Sequence, residues 1–242
     1  MSFSHYDDVL PLKLEYNNST FNIVDLVKNL FNNTPLDSIH ETLRDKYDLF
    51  DKPVTDSATV LHKIFYDKLR SGWDDFLSIY KSLIVNYCDI LNIKENDNHS
   101  HQEFIYQKWP TFRVHLPNNL AVGAWHTDNE YFHPEGEINF ILPLTKMYES
   151  NTVITESIPG ARDFKQIELD VGQLFAFHGN KCLHGNLPNR TGKTRMSLDF
   201  RILYKKDYEN YLLRRIPNEK SMTTNKEFII GSYYEEVKSK II

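Results

Sequence analysis

Hydrophobic side chains in the first third of the chain recur at helical spacing. The clearest stripe consists of Phe76, Leu77, Tyr80, Leu83, Ile84, Tyr87, Ile90 and Leu91. This spacing predicts one helix there, and a shorter stripe predicts another over residues 60–69. Thr34, followed by a proline, predicts the start of a further helix that ends at about Leu49. We therefore expect residues 1–100 to form mainly a helical layer.

Beyond residue 101 the period of alternation changes from about 3.6 residues to two, and turn-forming residues appear at short intervals. The predicted strands are residues 104–107, 111–116, 121–126, 137–144, 152–157, 173–178 and 195–204. Short alternating strands between turns are typical of an antiparallel sandwich or barrel. We expect an α+β fold in which residues 101–205 form this core. A helical extension over residues 206–242 completes one catalytic domain spanning residues 1–242.

The strand predicted at residues 195–204 has two chemically different faces. Its polar positions are Arg195, Ser197, Asp199 and Arg201, which alternate with apolar residues. Arg113 and His115 share the polar face of a second strand, and Asn139 lies on that of a third. These polar faces either contact water, as in a half-exposed sheet, or line a barrel that encloses a polar ligand.

Composition excludes several classes of partner. The 242 residues carry a formal net charge of -5, and Lys and Arg are scattered, so a nucleic-acid partner is not expected. Cys88 and Cys182 form neither a disulfide framework nor a zinc motif. The N-terminal residues lack a signal-peptide pattern, and no apolar run approaches the ~20 residues that span a bilayer. We expect a cytoplasmic protein without a membrane partner; the pattern leaves its oligomeric state open.

Residues 125–134 carry the candidate metal chemistry. His126 and Asp128 are two positions apart, so on extended backbone both side chains point to one side. Two histidines and one carboxylate form the facial triad that binds Fe(II) and leaves three coordination positions open. His5 and Asp7 repeat the spacing, so the pair alone is a weak signal.

Two histidines compete for the third ligand position. His178 continues one face of the strand at residues 173–178, which is typical of a packed or surface histidine. His184 follows a turn and lies one turn and one strand before Arg195, whose guanidinium can fork onto a carboxylate. Ser197 lies on the same face and offers that carboxylate a hydroxyl donor. This arrangement favours His184.

The combined pattern resembles the iron(II)- and 2-oxoglutarate-dependent oxygenases, which have a double-stranded β-helix (jelly-roll, cupin-like) fold. Within that family, Pro110–Pro117, Gly136–Thr145 and Thr194–Arg201 are similar to the StrG-like branch found in carbohydrate and aminoglycoside gene clusters. The similarity covers roughly residues 104–204. The helical layer and the C-terminal extension contribute nothing to it.

The resemblance implies a ligand set and a reaction. His126, Asp128 and His184 would bind Fe(II), and Arg195, with Ser197 and Asn139, would bind 2-oxoglutarate. O2 would be consumed and succinate and CO2 released. The intact carboxylate at Asp128 favours hydroxylation over halogenation, because related halogenases have a small residue there. Epimerisation, desaturation and ring closure use the same ligands.

The residues around the predicted ligands favour a polar small molecule as substrate, either carbohydrate-like or amino-acid-like. Candidate substrate contacts are Arg113, His115, Glu130, Tyr131 and His133. Two other function classes fit part of the pattern. A cupin-type metal-dependent isomerase or epimerase would use the same triad without 2-oxoglutarate, and a jelly-roll carbohydrate-binding module would use the histidines structurally. A buried Arg195 discriminates against the cupin-type enzyme, because burying a guanidinium without an anion is costly. The binding module stays open as an alternative.

Overall fold

The computed structural model describes residues 10–43, 58–94, 103–122, 124–217, 220–221 and 225–237. Its helices are α1 (Ile23–Leu30), α2 (Ile39–Thr42), α3 (Val60–Arg70), α4 (Asp74–Lys94) and α5 (Lys205–Arg214). Its strands are β1 (Leu12–Glu15), β2 (Phe104–Gln107), β3 (Thr111–His115), β4 (Ile138–Pro143), β5 (Ile154–Thr155), β6 (Lys165–Gln166), β7 (Gln173–Phe177), β8 (His184–Gly185), β9 (Arg195–Tyr204) and β10 (Tyr234–Glu236). Short 3-10 helices lie at Leu36–Ser38, Asp128–Tyr131 and Glu149–Asn151.

Strand β9 is the centre of the larger sheet. The strand order is β1-β7-β4-β9-β2-β10, and β3 also pairs with β9. Each of these pairings is antiparallel. A smaller antiparallel sheet has the order β6-β5-β8, and the backbone of His126 makes an isolated bridge to His184 in β8. The predicted mixture of helices and antiparallel strands is confirmed.

The helical layer covers the apolar face of the larger sheet. Phe65 of α3 stacks on Phe112 of β3 with ring centroids 4.4 Å apart. Phe200 of β9 stacks on Phe140 of β4 at 5.1 Å and meets the edge of Tyr80 of α4 at 5.5 Å. The polar residues of β9 must therefore point to the opposite side of the sheet.

Two predicted elements are wrong in part. The strand expected at residues 121–126 is an irregular loop among its described residues, where His126 alone makes a bridge. The helix expected from Thr34 begins instead as the 3-10 turn Leu36–Ser38 and continues as α2; residues 44–49 lie outside the described part. The Thr34–Pro35 pair thus directly precedes a helical turn, as the sequence predicted.

The C-terminal extension is also different from the prediction. Only α5 is helical among the described residues after position 205, and Tyr234–Glu236 forms strand β10 against β2. Strand β1, which pairs with β7, was not predicted inside the helical third of the chain. Both are short edge strands, for which sequence periodicity is a weak signal. Among the described residues, no helix is both long and apolar enough to cross a membrane.

Phe200 tests the contact between helices and sheet. Its ring is fully buried between Phe140 and Tyr80. We expect Phe200→Ala to lower the free energy of unfolding by about 3–5 kcal/mol, because it leaves a cavity that the sheet cannot close. Urea denaturation followed by circular dichroism measures this. Leu213→Ala, at a side chain that is 86% exposed, is the control and should change it by less than about 0.5 kcal/mol.

His62 gives the fold a pH dependence. Its Nδ1 accepts the backbone N–H of Thr59 at 3.1 Å and so caps α3, and burial, helped by the charge of Arg113, lowers its pKa from 6.5 to about 3. The folded state therefore keeps His62 neutral, while the unfolded chain takes up a proton below pH 6.5. Its stabilising contribution is complete above pH 6.5 and is lost as the pH falls towards 3.

The matching variant is His62→Gln, which keeps an acceptor without a titratable ring. Between pH 7 and pH 5 the free energy of unfolding should fall by about 2 kcal/mol more in the wild type than in this variant. Urea titrations at the two pH values provide the comparison. Parallel pH profiles for the two proteins would contradict the prediction.

Candidate metal centre

Backbone pairing brings two of the predicted ligands together. His126 lies beside His184 of β8, at the edge of the smaller sheet, and each N–H donates to the other residue's carbonyl at 3.0 Å. Their imidazole centroids are 4.5 Å apart. Asp128 begins a 3-10 helix nearby, and its N–H donates to the carbonyl of Gly179 at 2.9 Å. Strand β8 and the loop that precedes Asp128 thus bring His184 to His126 and Asp128, which are remote from it in sequence.

Hydrogen bonds select the tautomer of both histidines. The Nδ1 of His126 lies 2.9 Å from the carbonyl of Ala124, and the Nδ1 of His184 lies 2.9 Å from that of Cys182. A carbonyl only accepts, so each Nδ1 carries the proton and each Nε2 keeps its lone pair. These Nε2 atoms lie 3.6 and 3.7 Å from Oδ1 of Asp128. Two imidazole nitrogens and one carboxylate oxygen form a donor set that suits Fe(II) and related divalent metals.

The second oxygen of Asp128 is held by two other side chains. Its Oδ2 accepts Nη2 and Nε of Arg201 at 2.6 and 3.1 Å, and Nδ2 of Asn139 at 2.6 Å. Burial alone raises the pKa of Asp128, but Arg201, together with His133, His184 and Asn139, lowers it well below its usual range. The carboxylate is therefore ionised, with Oδ1 directed at the histidines.

Gly179 allows this arrangement by its lack of a side chain. A Cβ at this position would overlap the side-chain amide of Asn139, and the carbonyl of Gly179 accepts the N–H of Asp128. Because Gly179 has no side chain, its backbone can lie close to Asn139 of β4, and the Asn139 amide reaches Asp128. Asn139 thus holds the Asp128 carboxylate on one side, while Arg201 holds it on the other.

The three candidate ligands lie in the wall of one cavity that also contains Arg195. This guanidinium is buried, with Nε donating to the carbonyl of Asn151 at 3.1 Å and Nη1 to Oγ of Ser197 at 2.9 Å. The remaining polar lining is Arg113, Asn139, Asn186, Asp199 and Arg201, and the apolar lining is Ala121, Val122, Phe140, Ile141, Val153 and Phe177. The polar face of β9 therefore faces an enclosed space.

Among the predicted substrate contacts, only Arg113 is in the described lining of this cavity. Its Nε donates to Oδ2 of Asp199 at 2.8 Å, and each of the two side chains is about one-fifth exposed. Oγ of Ser197 contacts the other oxygen of Asp199 at 3.4 Å. A chain of polar contacts thus runs from Arg195 through Ser197 and Asp199 to Arg113.

The other four predicted contacts lie elsewhere. His115 is fully buried behind Arg195, and burial and that positive charge lower its pKa to about 3. Glu130 is exposed and accepts the N–H of Thr127, which caps the 3-10 helix that begins at Asp128. The ring of Tyr131 meets the edge of the His126 ring at 5.0 Å. His133 contacts Glu137, outside the described cavity lining.

A buried network that was not predicted lies behind Asp128. Nδ1 of His133 contacts Oε2 of Glu137 at 2.7 Å, and the same oxygen lies 3.4 Å from Nε of Arg201. Arg201 shares the polar face of β9 with Arg195, which is the sequence signal for its position. Glu137 precedes β4, and nothing in the sequence shows that it is fully buried.

The competing histidine, His178, is outside the described cavity lining and the candidate metal group. Its carbonyl accepts the N–H of Cys182 at 2.7 Å, in the turn that leads to His184. The structure therefore brings His184 to His126 and Asp128, in keeping with the spacing to Arg195.

Comparison with known proteins gives the family. No family model matches the sequence. The streptomycin biosynthesis protein StrG of Streptomyces griseus is 30% identical over 226 residues, which cover 93% of this chain and 98% of the relative. The chain belongs to the StrG family. The StrG resemblance seen in residues 104–204 thus extends over nearly the whole chain.

Solved structures also match this StrG family member. A non-heme monooxygenase, ThoJ in complex with Ni, matches with a TM-score of 0.50 and 13% identity, covering 81% of this chain and 73% of that one. EvdO2 from Micromonospora carbonacea var. aurantiaca matches with a TM-score of 0.45 and 11% identity, over 84% and 92% of the two chains. At such identity the likeness to ThoJ shows a shared fold.

The ligand assignment predicts a clear difference between two histidine variants. Asp128→Ala and His184→Ala each remove a donor atom and should weaken binding of one Fe(II) per chain by more than about 100-fold. His178→Ala is the control and should bind iron as the wild type does. Anaerobic equilibrium dialysis with iron analysis measures the affinity. Loss of iron in His178→Ala with retention in His184→Ala would show that the wrong histidine was chosen.

Proposed function

We propose that this protein is an Fe(II)- and 2-oxoglutarate-dependent oxygenase with a double-stranded β-helix core, and that it hydroxylates a polar small molecule. One observation carries the proposal. Two imidazole nitrogens and an ionised carboxylate oxygen converge in the wall of a cavity that also contains a buried arginine. A metal with open positions and a cationic anchor are what 2-oxoglutarate, a dicarboxylate, requires.

The donor chemistry fits Fe(II). His126 and His184 present Nε2 lone pairs because carbonyls hold their Nδ1 protons, and Asp128 presents Oδ1 because Oδ2 is held elsewhere. All three would present a donor atom to the metal in the arrangement that the structure already has. Bound iron would supply the activation of O2 that amino-acid side chains lack. The fold relative ThoJ is named a non-heme monooxygenase and was solved with Ni, which is in keeping with a metal at this centre.

Arg195 is the proposed anchor for the distal carboxylate of 2-oxoglutarate. The carbonyl of Asn151 and the hydroxyl of Ser197 orient its guanidinium, so that the planar fork of donors is fixed before the co-substrate binds. A charge-assisted pair in a buried site is stronger than one in water, because water does not compete for the same groups. Ser197 would contribute by positioning the guanidinium.

The remaining cavity lining supports a polar substrate. Arg113 and Asp199 place a donor and an acceptor side by side, an arrangement that suits hydroxyl or amino groups. A carbohydrate-like or amino-acid-like molecule carries such groups. The relative StrG is named for streptomycin biosynthesis, and this name supports a small-molecule substrate for this chain.

Binding of the co-substrate tests the function directly. Wild-type protein with Fe(II) and 2-oxoglutarate, without O2, should show the weak visible charge-transfer band of the chelate, and should release succinate when O2 is admitted. Arg195→Ala should keep its iron but lose 2-oxoglutarate affinity by about 2–5 kcal/mol, the cost of removing one partner of a buried charge pair. The band intensity titrated against 2-oxoglutarate gives this loss.

Arg190 provides the matched control. It is an exposed arginine whose Nη1 donates to Asn118, and it is outside the described cavity lining. Arg190→Ala should bind both iron and 2-oxoglutarate as the wild type does. Iron-loaded wild type that shows neither the band nor succinate would reject the oxygenase and favour a metal-dependent isomerase at the same triad.

A further inference from the structure

The C-terminal strand β10 is connected to the metal carboxylate by a network of buried side chains. Tyr234 of β10 is fully buried, and its hydroxyl donates to Oε1 of Glu137. Glu137, also fully buried, faces Nε of Arg201 with its other oxygen at 3.4 Å. Arg201 in turn holds Oδ2 of Asp128. Three contacts therefore separate a tyrosine hydroxyl from a candidate metal ligand.

Arg201 lies between two carboxylates that compete for it. Its Nη2 is 2.6 Å from Asp128, whereas its closest ion-pair contact with Glu137 is 3.4 Å. Nη1 faces the side chains of Gln107 at 3.2 Å and Tyr233 at 3.4 Å. The guanidinium is thus fixed from several sides, with its shortest contact directed at the metal carboxylate.

Other donors make this preference for Asp128 possible. Glu137 receives the Tyr234 hydroxyl on Oε1 and the His133 ring on Oε2. A buried carboxylate that loses a donor seeks another, since an unsatisfied charge in the interior is costly. Without the Tyr234 hydroxyl, Glu137 would draw Arg201 away from Asp128. Of the two side chains that hold Oδ2 of Asp128, only Asn139 would then remain, and this oxygen would become more accessible to a metal.

We infer that Tyr234 is a positioning residue of the metal centre, which acts through Glu137 and Arg201 to keep Asp128 bound by one oxygen. The inference rests on the metal centre of the proposed function and is independent of 2-oxoglutarate. It assigns a role to residues 225–237, whose contacts with the centre were not expected from the sequence.

Cobalt(II) is a suitable probe, because its visible absorption bands report coordination number and geometry. In Tyr234→Phe we expect the dissociation constant for Co(II) to rise by about tenfold, the lower end for losing a hydrogen-bond partner behind a ligand. At saturating Co(II) we also expect the visible bands to differ from those of the wild type. A loss of general stability alone would not change the spectrum of the fully loaded protein.

Tyr106→Phe is the matched control. Tyr106 lies in β2, and its hydroxyl donates to Oε2 of Glu235 in β10 at 2.8 Å. This bond also ties β10 to its surroundings, but it has no described path to Asp128. This variant should bind Co(II) with the wild-type constant and spectrum. A spectrum altered equally in both variants would overturn the inference, because loosening of β10 would then explain it.

Circular dichroism shows whether Tyr234→Phe folds, and a second variant tests the inference if it does not. Glu137→Gln keeps an acceptor for Tyr234 but removes the charge that faces Arg201, so it should also change the Co(II) spectrum. The inference would be overturned if folded Tyr234→Phe had the wild-type dissociation constant and a spectrum superimposable on that of the wild type. If Tyr234→Phe does not fold, the same result in Glu137→Gln would overturn it. Wild-type protein that binds no Co(II) would instead reject the metal centre itself, and with it both proposals.

Discussion

Successive residues of a β-strand point to opposite sides of the sheet, and strand β9 places unlike chemistry on its two sides. Phe200 and its apolar neighbours lie under the helices, so Arg195, Asp199 and Arg201 must face the cavity. A shift of pairing by one residue would bury the two arginines in the hydrophobic core. The register of β9 with β3 and β4 therefore stabilises the fold and places the charges of the cavity at the same time.

In the candidate metal centre, the main chain also fixes the positions of side chains. His126 and His184 are held by reciprocal main-chain hydrogen bonds, and carbonyls two residues earlier in the chain fix their tautomers. Asp128 is oriented by the amide of Asn139 and the guanidinium of Arg201. The three donor atoms are consequently fixed by rigid neighbours, which reduces the conformational entropy lost when a metal binds.

How much could be predicted from the sequence depended on the length and spacing of each signal. The strand at Arg195–Tyr204 was predicted with its observed bounds, since seven alternating residues followed by three apolar or aromatic ones give a strong pattern. The predicted ligands His126, Asp128 and His184 were chosen by their spacing relative to Arg195, and they lie close together in the structure. Strand β8 has only two residues, which is too short for any periodicity to be visible.

Partners that meet only through the tertiary fold could not be predicted. Glu137 and Tyr234 are 97 residues apart and interact because β10 adds to the sheet beside β2. Sequence spacing carries no information about such a contact. The same holds for His115 and Glu130, which have suitable chemistry for substrate binding but lie behind Arg195 and on an exposed 3-10 helix.

The close approach at Gly179 has an implication for how this protein tolerates change. Alanine is normally among the mildest replacements for glycine, yet here one added methyl group would displace the Asn139 amide from the carboxylate it holds. A variant of this kind would keep every candidate ligand and every arginine while altering the environment of the candidate metal centre. Substitutions at position 179 would therefore change the surroundings of Asp128 without changing any candidate ligand. A comparison restricted to the candidate ligands would overlook them.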